Sequence, residues 1–193
     1  MKIAVYGAAS SLIDSSYKQA GIELGRKMAQ RGHGLVFGGG ANGMMGAVAQ
    51  GIYEKQGYIL GVVPQFFHES NPEVSFEKCT EYIYTETMRE RKRQMEENCD
   101  AFIITPGGIG TLDEFFEILT LKQLGRHNKA IVIYNINGFF NELADSLYKM
   151  VKKQFITNDC FELCKVSTDI DEILDYIESY DPKDIDISKV KIR

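Results

Sequence analysis

The chain has little of what metal centres and disulfide frameworks are built from. Its 193 residues include four cysteines and three histidines. Cys79, Cys99, Cys160 and Cys164 form no Cys-x-x-Cys pair, and His33, His68 and His127 are scattered without ligand-like spacing. Neither a zinc site nor a Ser-His-Asp arrangement is therefore indicated, and the cysteines read as reduced thiols that serve in packing. Long apolar runs are missing too. Stretches such as 101–105 and 130–134 are far too short to span a bilayer, and Lys2-Ile3-Ala4-Val5 starts a strand instead of a signal peptide. The expected compartment is the cytosol. Positive charge is also in deficit, with 22 Lys and Arg against 27 Asp and Glu, a net charge of −5. That balance argues against a surface that tracks nucleic acid or an anionic membrane, so any anion site must be local.

What is present is ordinary globular material: 44% hydrophobic and 25% charged residues, in a length that suits one domain over 1–193 with a sizeable core. Short runs rich in Val, Ile, Tyr and Phe alternate with stretches of helical periodicity. This is the pattern of βαβ units around a mainly parallel sheet, an α/β fold. Strands are predicted at 2–6, 34–37, 58–63, 101–105, 130–134 and, short, 163–167. Helices are predicted at 15–31, 43–56, 86–98, 112–125, 139–153 and 169–179. Between Pro64 and Tyr84, residues 65–73 read as irregular, either a lid over a ligand or a plain surface connection.

In open α/β sheets ligands bind beyond the carboxyl ends of the strands, which directs attention to the loops there. After Leu35-Val36-Phe37 comes Gly38-Gly39-Gly40-Ala41-Asn42-Gly43-Met44-Met45-Gly46, a strand-to-helix turn whose backbone can approach an anion closely. Gly38, Gly40 and Gly43 fit Gly-x-Gly-x-x-Gly. The acidic ribose partner expected about 20 residues later is absent, since that region reads Val62-Val63-Pro64, and NAD binding is poorly supported. The glycines can equally serve only a tight turn and close helix packing.

The second loop is sharper. Ile103-Ile104-Thr105 ends a strand, Pro106-Gly107-Gly108-Ile109-Gly110-Thr111 forms a turn, and a helix is predicted from Leu112. Such a turn aims free N–H groups and the positive end of a helix dipole at one point, which suits a phosphate. It lacks the Gly-Lys-Ser/Thr of a P-loop, so a monophosphate fits better than a triphosphate with magnesium. Thr111-Leu112-Asp113-Glu114 also fits a helix capping box, in which Glu114 would fold back onto its own helix terminus. If Glu114 is catalytic instead, its place near a helix N-terminus favours the charged form and the role of base or cation stabiliser.

On the helix before this loop, Met88, Arg91 and Met95 share a face with Asn98 or Cys99, so Arg91 stands where the pattern asks for an apolar residue. It needs an anionic partner there, and a phosphate or the Glu114 carboxylate would serve. Arg89 and Arg93 read as solvated, with surface pairs expected for Lys92 with Glu96 and Arg93 with Glu97.

These segments resemble the LOG family of cytokinin-activating phosphoribohydrolases. Pro106 to Glu114 matches the family's Pro-Gly-Gly-x-Gly-Thr-x-x-Glu motif, and Met88-Arg89-Glu90-Arg91-Lys92 with Met95 matches its Met-x-x-Arg-Lys segment. Gly38 to Gly46 and Gly61-Val62-Val63-Pro64 match further segments, so the likeness runs from about residue 2 to residue 135. It implies a Rossmann-like, doubly wound homodimer, without a cofactor, that cleaves nucleoside 5′-monophosphates such as AMP and N6-modified AMP into free base and ribose 5-phosphate. Arg91 and Glu114 correspond to the family's catalytic pair, and Gly107, Gly108, Gly110 and Thr111 to its phosphate loop, with Lys92 beside the nucleotide.

On the same reading Gly38, Gly39, Gly40, Gly43, Met88, Pro106, Ile109 and Asp113 complete the substrate-binding set, and Glu69 or Glu73 corresponds to a further family glutamate. Two positions depart from the family: Arg89 stands where His is usual, and Asp113 where Glu is usual. Two rivals remain. One is a nucleotide carrier or sensor that performs no chemistry. The other is a pyridoxal-phosphate lysine decarboxylase, against which stands the lack of any lysine in the glycine loops.

Overall fold

Strand β1 (Lys2–Tyr6) and its neighbours β2 (Gly34–Phe37), β5 (Ala101–Ile104) and β6 (Ala130–Tyr134) are almost wholly buried runs of apolar residues. That is the composition of strands covered by helices on both faces. In the computed structural model, which describes residues 1–70 and 75–182, they form a seven-stranded sheet with β3 (Ile59–Pro64), β4 (Glu81–Thr85) and β7 (Lys165–Ser167). The order is β4-β3-β2-β1-β5-β6-β7, and every pairing is parallel. The doubly wound α/β expectation holds. Order reverses at β1, whose Ala4 registers with Val36 of β2 on one side and Phe102 of β5 on the other.

Helices α1 (Ser15–Gln30), α2 (Gly43–Glu54) and α7 (Ile170–Ser179) cover one face, where Leu24, Met28, Val48, Ile52, Ile173 and Ile177 pack on Ile3, Val5 and Leu35. On the other face, Met95 of α4 (Met88–Glu97) and Phe115 and Ile118 of α5 (Ile109–Gln123) meet Ala4, Tyr6, Phe102 and Ile104. Leu143 brings α6 (Asn141–Lys152) against that same cluster. Alternate residues of each strand thus feed two cores, as a parallel sheet requires. All four cysteines are free thiols, and Cys99 is buried as a packing residue.

Besides two short 3-10 helices, Ile136–Gly138 and Asn158–Leu163, a helix and a strand went unread in the sequence. Residues predicted as irregular open with helix α3 (Gln65–Ser70), too short for a 3.6-residue period to show. Strand β4, with the sequence Glu81-Tyr-Ile-Tyr-Thr85, is an edge strand and largely solvent-facing, so it carries no continuous apolar run. Residues 71–74 and 183–193 lie outside the described residues. Glu73 falls there, and the side chain of Glu69 is likewise not described. Among the described residues no helix is long and apolar enough to cross a membrane.

Candidate active site

Helix α5 begins earlier than its sequence suggests. Glycine is a poor helix former, so Gly108-Ile109-Gly110 reads as turn. In the structure the helix starts at Ile109 behind an N-cap at Gly108, and Leu112 N–H donates to Gly108 O at 3.1 Å. Thr111 is consequently inside the helix, and the capping box predicted for Thr111 and Glu114 does not form. The Thr-x-x-Glu cap belongs to α4 instead, where Thr87 Oγ1 accepts from Glu90 N and Glu90 Oε2 accepts from Glu86 N.

With no cap to make, the Glu114 carboxylate turns to α4. Arg91 Nη1 donates to Glu114 Oε1 at 2.7 Å, and Arg91 Nε donates to the Val62 carbonyl at 3.2 Å. Both partners are withdrawn from water, their side chains 9% and 12% exposed. Of the two anions open to Arg91 on sequence grounds, the structure shows the carboxylate. Burial pushes the Glu114 carboxyl above its ordinary value, and Arg91 only partly offsets this. The dipole argument that favoured the charged form is thus opposed by desolvation. Tyr6, at the end of β1, is raised by burial and then by the Glu114 charge.

This pair forms part of the wall of a cavity of about 570 Å³ at the carboxyl ends of β1, β2, β3 and β5. It opens where strand order reverses, as open α/β sheets dictate. The loop after β1 is tied to the loop after β5 by Ala8 N–H donating to Pro106 O at 3.0 Å. Gly108, Gly110 and Thr111 line the cavity, so the first amides of α5, which have no intrahelical acceptors, stand at its edge. A Cβ at 108 or 110 would meet nothing within 4 Å. The protein's own packing therefore does not demand glycine there, and the vacant space admits a ligand to the backbone. Met45, Val63, Pro64, Phe67 and Met88 supply apolar lining.

Of the residues predicted for the site, Gly38, Gly39, Gly40, Met88, Arg91, Gly108, Gly110, Thr111 and Glu114 line this cavity. Lys92 and Asp113 do not. Lys92 Nζ pairs with Asp113 Oδ2 at 3.2 Å and with Glu117, bracing α4 against α5. Burial works against its charge, but these carboxylates outweigh it and raise its pKa. The surface pair expected with Glu96 is replaced by these, whereas Arg93 with Glu97 forms as predicted at 3.8 Å. Pro106 and Gly107 are not among the lining residues, a Cβ at Gly107 would run into Thr111, and Ile109 is 89% exposed to solvent. Gly43 is also off the cavity. Its φ of +64°, with Ala8 O only 2.2 Å from where a Cβ would lie, accounts for glycine there.

Sequence reasoning missed the cavity's third loop, Ala8-Ala9-Ser10, together with Asn42 and Ser75. The first of these was discoverable, because it follows β1 at the point of strand reversal. Ser75 was not, since only the Gly40–Ser75 bridge brings it there.

Among the described residues no lysine lines the cavity. Lys122 has its pKa lowered by burial to about 8, but it lies fully buried near the far end of α5, donating to Lys129 O at 2.9 Å. The described residues therefore offer this site no amine of the kind a pyridoxal-phosphate Schiff base requires. Among the described residues no cluster of His, Cys, Asp or Glu is placed to hold a metal ion. A second depression, about 520 Å³, lies across the amino ends of β1 and β2 near Tyr58 and Asp100.

A family described as "Possible lysine decarboxylase" matches residues 45–177. The chain is 34% identical over 182 residues to "Probable cytokinin riboside 5′-monophosphate phosphoribohydrolase LOGL6" of Oryza sativa subsp. japonica, covering 94% of this chain and 72% of that protein. It is 32% identical over 190 residues to "Cytokinin riboside 5′-monophosphate phosphoribohydrolase LOG2" of Arabidopsis thaliana, covering 98% and 88%. Among solved structures, the molybdenum cofactor binding protein of the phototrophic bacterium Rippkaea orientalis superposes with a TM-score of 0.70 at 20% identity. That match covers 92% of this chain and 95% of the other and speaks to the fold alone.

Proposed function

The chain belongs to the LOG family of cytokinin riboside 5′-monophosphate phosphoribohydrolases, and on that premise we propose that it hydrolyses the N-glycosidic bond of a nucleoside 5′-monophosphate, AMP or an N6-modified AMP. The observation that carries this reading is the buried Arg91–Glu114 pair on the wall of a cavity whose edge is the N-terminus of α5. A 5′-phosphate accepts from the first amides of α5, where Gly108 and Gly110 leave room and the helix dipole favours an anion. That anchor fixes the ribose C1′ within reach of Glu114, and the apolar wall receives the base.

As the bond between C1′ and the base nitrogen breaks, the electron pair leaves with the base and positive charge builds on C1′ and the ring oxygen. The Glu114 carboxylate stabilises that charge and takes one proton of the water that attacks C1′, while the departing base gains a proton on the nitrogen that carried the ribose; release of the Glu114 proton to solvent closes the balance at one water consumed. Arg91 holds the carboxylate in place and in its charged form. Lys92 and Asp113, paired with each other, act on substrate only through the field they add. Incubation with AMP, N6-modified AMP, GMP and CMP, followed by chromatography, is expected to yield free adenine or N6-modified adenine with ribose 5-phosphate. Nucleotide that binds calorimetrically and is recovered intact would instead establish a carrier.

We further propose a homodimer working in the cytosol. Its support is the family relationship together with Ile109 and Phe116, exposed apolar residues seven apart on one face of α5. Light scattering is expected to give twice the 21.8 kDa chain mass, and a monomer mass at micromolar concentration would remove the dimer.

A further inference from the structure

The Arg91 guanidinium is held on each of its edges by a different element. Its Nε donates to the Val62 carbonyl of β3 at 3.2 Å, and its Nη1 donates to Glu114 of α5 at 2.7 Å. The remaining nitrogen, Nη2, stands against bare backbone at the carboxyl end of β2. A Cβ built at Gly38 would lie 2.0 Å from Nη2 and 3.1 Å from the guanidinium carbon. No side chain fits there while the arginine keeps its place. Gly38 is not needed for backbone reasons, because unlike Gly39 at φ +77° it does not adopt a left-handed conformation. Its other close neighbour, Met45 Sδ at 3.3 Å from the same Cβ position, belongs to a flexible side chain that can yield.

We propose that Gly38 is a positioning residue whose missing side chain sets where the Arg91 guanidinium stands and thereby keeps it paired with Glu114. The inference deepens the hydrolase reading and rests on it for its consequence in turnover. The geometric part, that position 38 governs the Arg91–Glu114 contact, stands without it. Among the described residues, the charged or titratable groups that act most on Glu114 are Arg91 and Lys92 of α4 and Asp113 of its own helix, and Tyr6 of β1 is coupled to it. Of these, the Cβ position at Gly38 meets only Arg91. A methyl group there therefore changes Glu114 by displacing the arginine.

The test is Gly38→Ala in the wild type and in an Arg91→Lys background, read in two ways. The first readout is the titration of Glu114 by carbon NMR on protein labelled at glutamate carboxyls, assigned by its loss in Glu114→Gln. In Gly38→Ala the carboxyl is expected to titrate at higher pH than in the wild type, because the opposing charge has moved away. In the lysine background, where no Nη2 exists to collide with, the alanine is expected to leave the titration where it was. The second readout is turnover of AMP, expected to fall by about 100-fold in Gly38→Ala, the scale of a misplacement of about 1 Å.

An unmoved Glu114 titration in Gly38→Ala overturns the proposal. So does an equal shift in the lysine background, since the methyl would then act without the arginine. If Gly38→Ala fails to fold but Gly38→Ala/Arg91→Lys folds, that rescue identifies the collision, whereas failure of both counts against it. A protein that titrates as expected yet cleaves no nucleotide removes the hydrolase reading and leaves the positioning role standing.

Discussion

Glu114→Gln is expected to lower kcat for AMP by about a thousandfold, within the range of a positioned acid–base group, while nucleotide binding measured by calorimetry changes little. The substitution keeps the shape and the acceptor oxygen for Arg91 but removes the negative charge that the proposed mechanism sets against C1′. On the proposed mechanism phosphate capture depends on the α5 amides, and these do not change. The pH dependence carries a second signature. On the proposed mechanism turnover requires the carboxylate, and burial holds the Glu114 pKa above its ordinary value. The acid limb of the kcat profile should therefore lie above the usual glutamate range, with activity lost as pH falls through it. In the Gln variant the residual rate should show no such limb. Full activity in Glu114→Gln would reject the assignment outright.

The second large effect is on stability. Arg91→Met strips the buried carboxylate of its partner, and removal of one member of a buried pair costs about 3–5 kcal/mol. The sign with pH follows from the direction of the shift. Without Arg91 the Glu114 carboxyl rises further above its unfolded value, so the folded state prefers the protonated form. The penalty is absent where both states are protonated, below the ordinary glutamate range. It grows as pH rises and is complete above the folded-state pKa. Urea unfolding at neutral and at acidic pH should thus give a large loss that shrinks on acidification. Adding Glu114→Gln should recover most of the loss at neutral pH, because no uncompensated charge is then buried. An equal deficit at both pH values would show that Arg91 contributes packing, not charge compensation.

Much of the frame was legible because burial on both faces writes a simple signal. Apart from the exposed Lys2, the strands at 2–6, 34–37 and 130–134 are uninterrupted runs without a charged side chain and were read to the residue. Arg91 was legible as an exception, a charge on the stripe that Met95 marks as buried. What misled was local propensity. Gly108, Ile109 and Gly110 look like a turn, and only docking of α5 against β1 and β5 makes them a helix start. The same error placed Thr111 outside the helix and suggested that Glu114 would fold back on it. For Lys92, the i,i+4 pairing rule pointed to Glu96 within α4, but α5 packs closely enough to offer Asp113 and Glu117 in its place. The rule ranks neighbours along one helix and knows nothing of the next.

Periodicity and the spacing of motifs, both local properties of the chain, by themselves determined the alternation of strands and helices, the two glycine loops and the identity of Arg91 and Glu114 as residues needing an explanation. The tertiary structure decided which of two competing local bonds Glu114 makes, which of the predicted residues reach the cavity, and that Gly38 of one loop abuts the arginine answering to another. Those outcomes depend on strand order and on distances between segments far apart in the chain. Strand order is fixed by the packing of whole elements, and no short window of sequence contains it.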